Sequence, residues 1–388
     1  MKKLLLVCLM ISFGITTWGQ DLDIPPFGTD STFEVMTWNI EWFPTNGQTT
    51  VDYVKEIIED LDVDLIAMQE LDDTIVFKQM MNELENYEGY FKSSWFAGLA
   101  FIYNSAIIEV DTIYEIYTTE PYWRPFPRSP MVMELNYSGQ EYVVINNHFK
   151  CCGDGVLDMN DPYDEETRRL DASNLLKAYM DDYFFNKRVI MTGDLNDLLV
   201  EDNPYNNVFK AFINDPENYL FVDMEIAEGG EYYWSYPSWP SHLDHILINK
   251  PLFHDFENEG SQIETIRVDD YFDSFYQYEI NVSDHRPVAI KIHPDPEVGT
   301  IEKQISTVSL SNYPNPFYKE TTFSIGQRPE KCTLEIFNSK GINVDQCQVE
   351  AFQNSFTWIP ENLPGGFYYA RIRTGGITSE PRKLLLLK

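Results

Sequence analysis

The sequence predicts two globular parts, a larger mixed α+β domain followed by a small all-β domain. Between residues 33 and 292, apolar strand patterns are interspersed with amphipathic helix patterns, which is typical of sheets covered by helices. From 321 to 387 only strand-like alternation and glycine turns occur. The charge also changes near residue 295. Residues 21–295 carry 16 basic and 53 acidic side chains, whereas residues 296–388 carry 10 and 9.

The boundary between the two parts falls at 293–299, where two prolines and a glycine occur in seven residues. We therefore predict domains over 21–295 and 306–388, joined by a linker at 296–305. With 388 residues, the chain is long enough for each part to bury its own core. A net charge of −34 argues against a protein that grips nucleic acid through bulk electrostatics. It leaves open one that meets phosphates through bound divalent cations.

Residues 1–19 have the layout of a secretory signal peptide. Lys2 and Lys3 precede an apolar run over 4–15, and Thr17 and Gly19 have the spacing of a cleavage site. This run is shorter than the roughly 20 apolar residues that span a bilayer, and no other stretch is long and apolar enough. We therefore expect an exported protein without a stable transmembrane segment.

The elements of the first part follow from periodicity. Strand patterns occur at 33–38, 64–69, 99–103, 131–135, 142–146, 189–192, 245–248 and 288–292. Helix patterns occur at 51–61, 77–84 and 167–182. The first helix is the clearest, because its apolar residues recur on one face, at Val51, Val54, Ile57, Ile58 and Leu61.

Several of these strands end in polar side chains that a hydrophobic core does not require. These side chains are Asn39, Glu70, His148, Asp194 with Asn196, Asp244, and Asp284 with His285. Any one alone is usually a cap, a turn residue or a structural histidine. Six strand ends that offer only Asn, Glu, Asp and His indicate an active site at one sheet edge. Oxygen ligands with imidazoles suit a magnesium or calcium site that performs acid–base chemistry on a phosphoester.

The ordered set of motifs resembles the endonuclease/exonuclease/phosphatase superfamily, which includes deoxyribonuclease I and exonuclease III. The matching segments are 37–40, 64–70, 146–148, 193–197, 243–246 and 283–287. Each segment is a weak signal by itself, but their order and approximate spacing match across nearly all of 33–292. The resemblance implies a four-layer α/β/β/α sandwich.

The resemblance also implies a role for each matching residue. Glu70 would be the principal metal ligand, with Asn39 and Asp284 beside it, and the metal would be Mg²⁺ with Ca²⁺ or Mn²⁺ as alternatives. His285, oriented by Asp244, would be the general base that activates water. The remaining residues would act on the phosphate and the nucleophile, namely Asp194, Asn196 and His148.

Two features near this set have alternatives to the family pattern or depart from it. Arg128 resembles the phosphate-contacting arginine of the family, but Arg124 is an alternative and a structural arginine is an equal one. Members like deoxyribonuclease I pair the first histidine with an acidic residue just before a strand. Here that neighbourhood, residues 96–98, holds no carboxylate. The sequence therefore leaves the support of His148 open.

Aromatic and cysteine residues add two further expectations. An aromatic cluster at 232–236 with Trp239 would either stack bases, line a lipid-facing or small-ligand pocket, or pack in the core. Cys332 and Cys347 flank a predicted hairpin, and they face each other if Phe337 faces Ile342, so a cross-strand disulfide is a hypothesis. The adjacent Cys151 and Cys152 would form a vicinal disulfide or stay reduced.

The C-terminal part resembles a C-terminal sorting domain of the type IX secretion system. Its strand patterns predict a small immunoglobulin-like β-sandwich, and the resemblance rests on 313–317, 363–368 and 382–388. It implies contact with the outer-membrane secretion machinery through residues 306–388, then release or surface attachment. A carbohydrate- or protein-binding module is the alternative.

Taken together, the sequence predicts a secreted or cell-surface, monomeric, metal-dependent phosphodiesterase, a nuclease for extracellular nucleic acid or a small phosphodiester. A phosphatase or a phospholipase C- or sphingomyelinase-like enzyme of the same fold is the alternative, since fold alone does not choose the substrate. From another class, a catalytically silent surface-binding module is possible. Retention of the whole polar set argues against that module.

Overall fold

A computed structural model describes residues 22–93, 96–294, 310–325, 331–338, 342–350, 355–360, 363–374, 377–379 and 381–387. The chain divides into two compact units, Met1–Pro296 and Glu297–Lys388. The predicted signal peptide at 1–19 and the predicted linker at 296–305 lie outside the described residues. Within the described part of the chain, no helix is long and apolar enough to cross a membrane.

The first unit contains two six-stranded sheets. Its strands are β1 (Phe33–Phe43), β2 (Leu65–Leu71), β3 (Tyr87–Tyr90), β4 (Gly98–Asn104), β5 (Ile108–Glu115), β6 (Met131–Tyr137), β7 (Gln140–His148), β8 (Arg188–Asp194), β9 (Tyr219–Phe221), β10 (Asp244–Asn249), β11 (Gln262–Thr265) and β12 (Val288–Ile292). One sheet has the order β11-β12-β1-β2-β4-β3, and the other has the order β5-β6-β7-β8-β10-β9.

Most of the helices cover the outer faces of the two sheets. They are α1 (Gln48–Leu61), α2 (Thr74–Met81), α3 (Glu165–Tyr183), α4 (Lys210–Ile213), α5 (Met224–Ala227), α6 (Phe253–Glu257) and α7 (Phe275–Asn281). Three short 3₁₀ helices occur at Glu231–Tyr233, Lys250–Leu252 and Val268–Tyr271.

Side-chain alternation along the strands builds three apolar layers. Leu65 and Ala67 of β2 point inward and meet Val144 of β7 and Ile190 of β8 in a core between the sheets. The alternate residues, such as Ile66, pack outward against α1. On the other sheet, the outward-facing residues pack against Leu176 and its neighbours on α3. The predicted four-layer α/β/β/α sandwich is therefore confirmed.

Local capping explains where the helices start. The Asp73 side chain accepts hydrogen bonds from the backbone of Ile75 and Val76, so α2 begins three residues before its apolar pattern. Asp164 caps α3 through the Thr167 amide in the same way. At the end of α1, Asp62 takes the left-handed conformation that commonly ends a helix.

The second unit is a small immunoglobulin-like β-sandwich, as predicted. Its strands are β13 (Leu310–Tyr313), β14 (Thr321–Ile325), β15 (Cys332–Asn338), β16 (Asn343–Val349), β17 (Ser355–Trp358), β18 (Gly366–Thr374), β19 (Ile377–Thr378) and β20 (Arg382–Leu386). One sheet has the order β13-β14-β17. The other has the order β16-β15-β18-β19, with β20 also paired to β18. Phe323, Leu334, Trp358 and Ile372 are among its core residues.

The predicted cross-strand disulfide in this unit is wrong. Cys332 lies opposite Val349, and Cys347 lies opposite Leu334, because Phe337 pairs with Asn343 and not with Ile342, and an irregularity after Ile336 shifts the register by one further residue. The two cysteines are then diagonal neighbours rather than a facing pair, and neither forms a disulfide.

Candidate active site

The polar residues predicted from the strand ends converge on one cleft of about 520 Å³. Its lining includes Asn39 from β1, Glu70 from β2, His148 from β7 and Asp194 from β8. The strand register brings three of the side chains together. His148 pairs with Asp194 across parallel β7 and β8, and Asp194 pairs with Asp244 across antiparallel β8 and β10.

A buried carboxylate–imidazole pair forms the back of the cleft. His285 Nδ1 lies 2.7 Å from Asp244 Oδ2. The opposite nitrogen, Nε2, lies 3.9 Å from an Asp194 oxygen and 4.0 Å from an Asp284 oxygen. Burial by itself would lower the pKa of His285, but the charge of Asp244 and its hydrogen bond raise that pKa to about 10. Nε2 is thus the nitrogen available to a bound molecule.

Two side-chain hydroxyls, bonded to backbone groups, fix the loop that carries His285. The Ser283 hydroxyl donates to the carbonyl oxygen of Asn39 at 2.6 Å and accepts the His285 amide at 3.0 Å. The Tyr278 hydroxyl donates to the His285 carbonyl at 2.6 Å. The loop after α7 is therefore tied to β1, which brings two distant motifs into one site.

Asp194 lies at the centre of the cluster. Its Oδ2 accepts the Asn39 side-chain amide at 3.0 Å, and its Oδ1 accepts the Asn196 backbone amide at 3.0 Å. Asn196 has a φ of 53°, an unusual value for a residue other than glycine and one that accumulates at functional sites. Burial raises the pKa of Asp194 to about 7, against the opposing charge of His285. The ordinary ionised form is therefore disfavoured there.

A group of carboxylates faces the same space from β1, β2 and the His285 loop. Glu70 has a φ of 61°, and its Oε2 accepts the Trp42 amide at 3.3 Å. Glu41, which the sequence reasoning missed, accepts the Asp284 amide at 3.2 Å. Burial followed by the charge of Asp284 raises the pKa of Glu41 to about 7, and burial raises that of Asp284.

This donor set fits a divalent cation. Glu70, Asn39 and Asp284 supply carboxylate and amide oxygens, which are the ligands that Mg²⁺, Ca²⁺ and Mn²⁺ prefer. After burial, the charges of neighbouring carboxylates raise the pKa values of Glu41 and Asp194, and a nearby positive charge would relieve that repulsion. Glu41 was missed because it lies directly after the recognised motif at 37–40 and is not part of it.

His148 is placed in the cleft without a carboxylate on its far nitrogen. Its Nε2 lies 3.5 Å from Asp194 Oδ2 and 3.8 Å from Glu70 Oε1. Among the described residues, its buried Nδ1 has no hydrogen-bond partner. Burial and the charge of Arg128 hold the pKa of His148 well below its usual value. This histidine is consequently neutral, in contrast to His285.

The two candidate arginines occupy different places. Arg128 Nε donates to the Ala97 carbonyl at 2.8 Å, so the side chain is partly used, although its charge still acts on His148. Arg124 pairs with Asp171 at 2.6 Å and lines a separate surface depression with α3 residues. Of the two, Arg128 is the arginine near the cluster.

The aromatic cluster is split between two cavities. Tyr236 and Trp239 line the cleft, and the Tyr236 ring centroid lies 4.7 Å from that of His285. Tyr232 and Tyr233 instead line a second cavity of about 810 Å³. Trp234 is partly buried and donates to the Ile226 carbonyl at 3.1 Å. Only part of the predicted aromatic surface therefore belongs to the site.

A second carboxylate–histidine cluster, which we call the buried triad, consists of Asp223, His242 and His245. Asp223 Oδ2 lies 3.0 Å from His242 Nε2 and 2.6 Å from His245 Nδ1. His245 Nε2 faces the carbonyl oxygen of Asp197 at 2.9 Å, and His242 Nδ1 accepts the Ser235 amide at 3.3 Å. All three side chains are at most 1% exposed, so the triad lies outside the cleft.

Comparison with known proteins identifies both parts of the chain. A sequence model of the endonuclease/exonuclease/phosphatase family matches residues 36–285, and one of the secretion system C-terminal sorting domain matches residues 311–386. No curated protein matches the chain.

Several solved structures are similar to this chain at low identity. D. rerio TDP2 complexed with a single-strand DNA product is 12% identical, covers 68% of this chain and 100% of its own, and has a TM-score of 0.51. The human Nocturnin catalytic domain with bound sulfate is 16% identical, covers 69% and 98%, and scores 0.48. An endonuclease/exonuclease/phosphatase from Beutenbergia cavernae is 13% identical, covers 92% and 100%, and scores 0.47.

Proposed function

From the premise that this chain belongs to the endonuclease/exonuclease/phosphatase family, we propose that it is an exported, divalent-metal-dependent phosphodiesterase that cleaves nucleic acid. The sorting domain indicates export across the outer membrane to the cell surface or the medium. The observation that carries the proposal is a pair of histidines in one carboxylate-rich cleft, of which His285 is bound to Asp244 and His148 is neutral. Their chemistry matches the two proton-transfer tasks of phosphodiester hydrolysis.

His285 is the proposed general base. Asp244 holds its Nδ1 at 2.7 Å, which fixes the tautomer that leaves Nε2 towards the cleft. The pKa of His285 would fall when the neighbouring carboxylates hold a divalent cation, and the neutral Nε2 would then accept a proton from a water molecule as the water oxygen attacks phosphorus. Asp194 and Asn196 would orient that water, because Asp194 lies 3.9 Å from Nε2 and accepts the backbone amide of Asn196.

His148 is the proposed partner of the phosphate or of the leaving oxygen. Its neutral imidazole would carry the proton on Nε2, the atom that faces Asp194 and Glu70. A proton there would be donated to an anionic oxygen, which is where charge accumulates during cleavage. Arg128 would add positive charge on the same side.

Glu70, Asn39 and Asp284 would hold the divalent cation, with Glu41 beside them. When bound, such an ion neutralises the phosphate and stabilises the charge that develops in the transition state. A cation is also required on electrostatic grounds, because a chain with net charge −34 repels a polyanion.

Nucleic acid is the proposed substrate because exposed aromatic rings surround the cleft. Trp239 is 79% exposed and Trp42 is 48% exposed, and both line the cleft. The Trp42 ring also lies 5.5 Å from that of Phe96. Such rings stack on bases without reading sequence. A protein of the same fold, D. rerio TDP2, accommodates a single-strand DNA product.

A substrate panel tests this assignment. The full-length protein is assayed with Mg²⁺ on supercoiled plasmid, RNA, sphingomyelin, an aryl phosphodiester and an aryl phosphomonoester, with the His254→Ala variant as a control for an exposed histidine outside the cleft. We expect nicking of plasmid or cleavage of RNA together with diester turnover. Hydrolysis of the monoester alone, or of a lipid phosphodiester such as sphingomyelin alone, would replace nucleic acid as the substrate. Inactivity on every substrate with an intact fold would contradict the enzyme proposal.

A further inference from the structure

Two adjacent cysteines lie on the wall of the cleft and have no part in the proposed hydrolysis. Cys151 and Cys152 follow β7 three and four residues after His148, and both are exposed and line the cleft. Their sulfur atoms are 2.9 Å apart. Cys152 has a φ of 70° and Gly153 one of 108°, so the chain turns sharply at the pair.

One buried arginine holds this turn in place. Arg169 Nη1 donates to the carbonyl oxygen of Lys150 at 2.8 Å and to that of Cys152 at 2.7 Å. These bonds lie on either side of Cys151, so the backbone that presents the two thiols is fixed. Arg169 Nε also binds Asp197 Oδ2 at 2.6 Å. The cysteine turn is thereby connected to the loop that carries Asn196.

The surroundings distinguish the two sulfur atoms. The Lys150 ammonium donates to the Cys151 carbonyl at 2.8 Å and lies 3.8 Å from the Cys151 sulfur. Reactive cysteines lie in electropositive, partly exposed surroundings of this kind. The hydrogen bond to Cys151, followed by burial, raises the pKa of Cys152. Cys151 is therefore the sulfur that reacts first.

We infer that Cys151 and Cys152 form an oxidation site, which a low-molecular-weight disulfide converts from two thiols to a vicinal disulfide after export. The Cys151 thiolate attacks one sulfur of the oxidant, forms a mixed disulfide and releases one thiolate. Cys152 then gives up its proton and attacks the Cys151 sulfur, which closes the ring and releases the second thiolate. The two protein thiols are oxidised, the external disulfide is reduced, and both protons end on the released thiols. Exported proteins meet conditions that permit this reaction.

Closing the ring changes the cleft wall, because the disulfide replaces two polar thiols and constrains the backbone between them. The Arg169 bonds transmit that constraint to Asp197 and its neighbour Asn196. The expected effect of this disulfide on turnover rests on the proposed function, whereas formation of the disulfide does not depend on it.

The full-length protein, reduced and freed of reductant, is incubated with oxidised glutathione and analysed by intact mass and peptide mapping. We expect the loss of two hydrogens, assigned to a peptide that contains both cysteines, in the wild type and in the Cys347→Ser control. The Cys152→Ser variant should instead stop at a glutathione adduct on Cys151. Two free thiols after incubation, a persistent adduct in the wild type, or a disulfide confined to Cys332 and Cys347 would overturn the inference.

Activity of the two redox forms is a separate readout. We expect a reversible, several-fold fall in nucleic-acid cleavage on oxidation, absent from a Cys151→Ser, Cys152→Ser double variant. If neither form cleaves any substrate although the ring closes, the proposed function fails and the oxidation site stands. If the ring does not close in an active enzyme, the oxidation site fails alone.

Discussion

Two carboxylate–histidine clusters of this protein contain the same residue types but differ in what they leave unbonded. Asp244 and His245 are consecutive in β10, so their side chains point to opposite faces of one sheet. Asp244 meets His285 at the cleft, whereas His245 joins Asp223 and His242 in the buried triad. These two consecutive residues of β10 thus belong to different sites, and only the site at the cleft can act on a ligand.

In the buried triad every imidazole nitrogen is satisfied. Both nitrogens of His245 face acceptors, Asp223 and the Asp197 carbonyl, so that ring carries two protons and a positive charge. Asp223 balances the charge. Although burial opposes it, the charge of His245 and the two histidine hydrogen bonds hold the pKa of Asp223 well below its usual value. His242 accepts a backbone amide on Nδ1, so its Nε2 carries the proton donated to Asp223 and is not free to bind a metal.

At the cleft, by contrast, one nitrogen of His285 has, within the described part of the chain, no closer partner than carboxylate oxygens at 3.9 and 4.0 Å. What distinguishes the cleft is therefore an imidazole nitrogen that is still available for a hydrogen bond, and not the presence of Asp and His alone. In the buried triad, His245 instead binds the carbonyl oxygen of Asp197, and His242 accepts the backbone amide of Ser235. The Ser235 hydroxyl in turn accepts the amide of Asp244. The triad serves as a support for the cleft.

The largest expected effect comes from His285→Ala. Removing the proposed base should lower turnover of nucleic acid by about 10²- to 10⁴-fold, the usual contribution of a positioned proton acceptor. The measurement is the initial rate of plasmid nicking, with thermal unfolding to confirm the fold. A variant that keeps the wild-type rate would contradict the role of this residue.

Asp223→Asn should affect stability more than Asp284→Asn. Loss of Asp223 leaves the buried His245 charge without its partner, which costs about 3–5 kcal/mol of unfolding free energy. Burial raises the pKa of Asp284, so neutralising that residue should not destabilise the metal-free protein. Urea unfolding of both variants measures the difference. Equal stabilities would show that the triad is not a structural support.

A third carboxylate cluster lies at the opposite end of β1 and β2, where Glu34 is buried beside Asp64. Burial and the charge of Asp64 raise the pKa of Glu34 to about 9. Its contribution to stability is thus complete below its ordinary pKa of 4.5 and is lost as the pH rises towards 9.

Glu34→Gln should therefore flatten the pH dependence of stability by about 1 kcal/mol per pH unit between about pH 6 and 8. Denaturant unfolding at several pH values measures this slope. The exposed Glu109→Gln variant is the control and should behave as the wild type does. An unchanged slope in Glu34→Gln would mean that Glu34 is ionised in the folded protein.

The smallest effect is expected at the rim of the cleft. Trp239→Ala should weaken binding of single-stranded DNA by about 1–3 kcal/mol, because a stacking surface is lost. Fluorescence anisotropy with a labelled oligonucleotide measures the affinity, in the presence of Ca²⁺ if Mg²⁺ permits cleavage. Tyr183→Ala removes an exposed ring outside the cleft and should bind normally. Identical loss in both variants would remove the evidence for stacking.

The sequence predicted the fold where periodicity is strong. The long buried strands β1, β7 and β8 and the helices α1 and α3 appear close to their predicted positions, because core packing imposes the pattern. The strands β3, β5, β9 and β11 were missed. They are edge strands or short strands whose partly exposed residues carry little alternation.

For the site, motif residues could be predicted because they follow buried strands. Glu41, Arg169 and Asp223 could not be, since their importance arises from partners that are distant in sequence. Arg169 reaches Asp197 across 28 residues, and Asp223 reaches His245 across 22. The predicted pairing of Cys332 with Cys347 failed for a different reason, because Asn343 and not Ile342 lies opposite Phe337 and a strand irregularity adds one further residue of shift.

The proposed reaction in the cleft, cleavage of nucleic acid, depends on a bound divalent cation and on His285 as the general base. The most direct measurement is nicking of supercoiled plasmid by the full-length protein with Mg²⁺, then with excess chelator, then with Mg²⁺ restored, beside the His285→Ala variant. We expect wild-type nicking that disappears with chelator and returns with the ion, and little nicking by the variant at any stage. Nicking that persists in excess chelator, or that is equal in both proteins, would contradict the account.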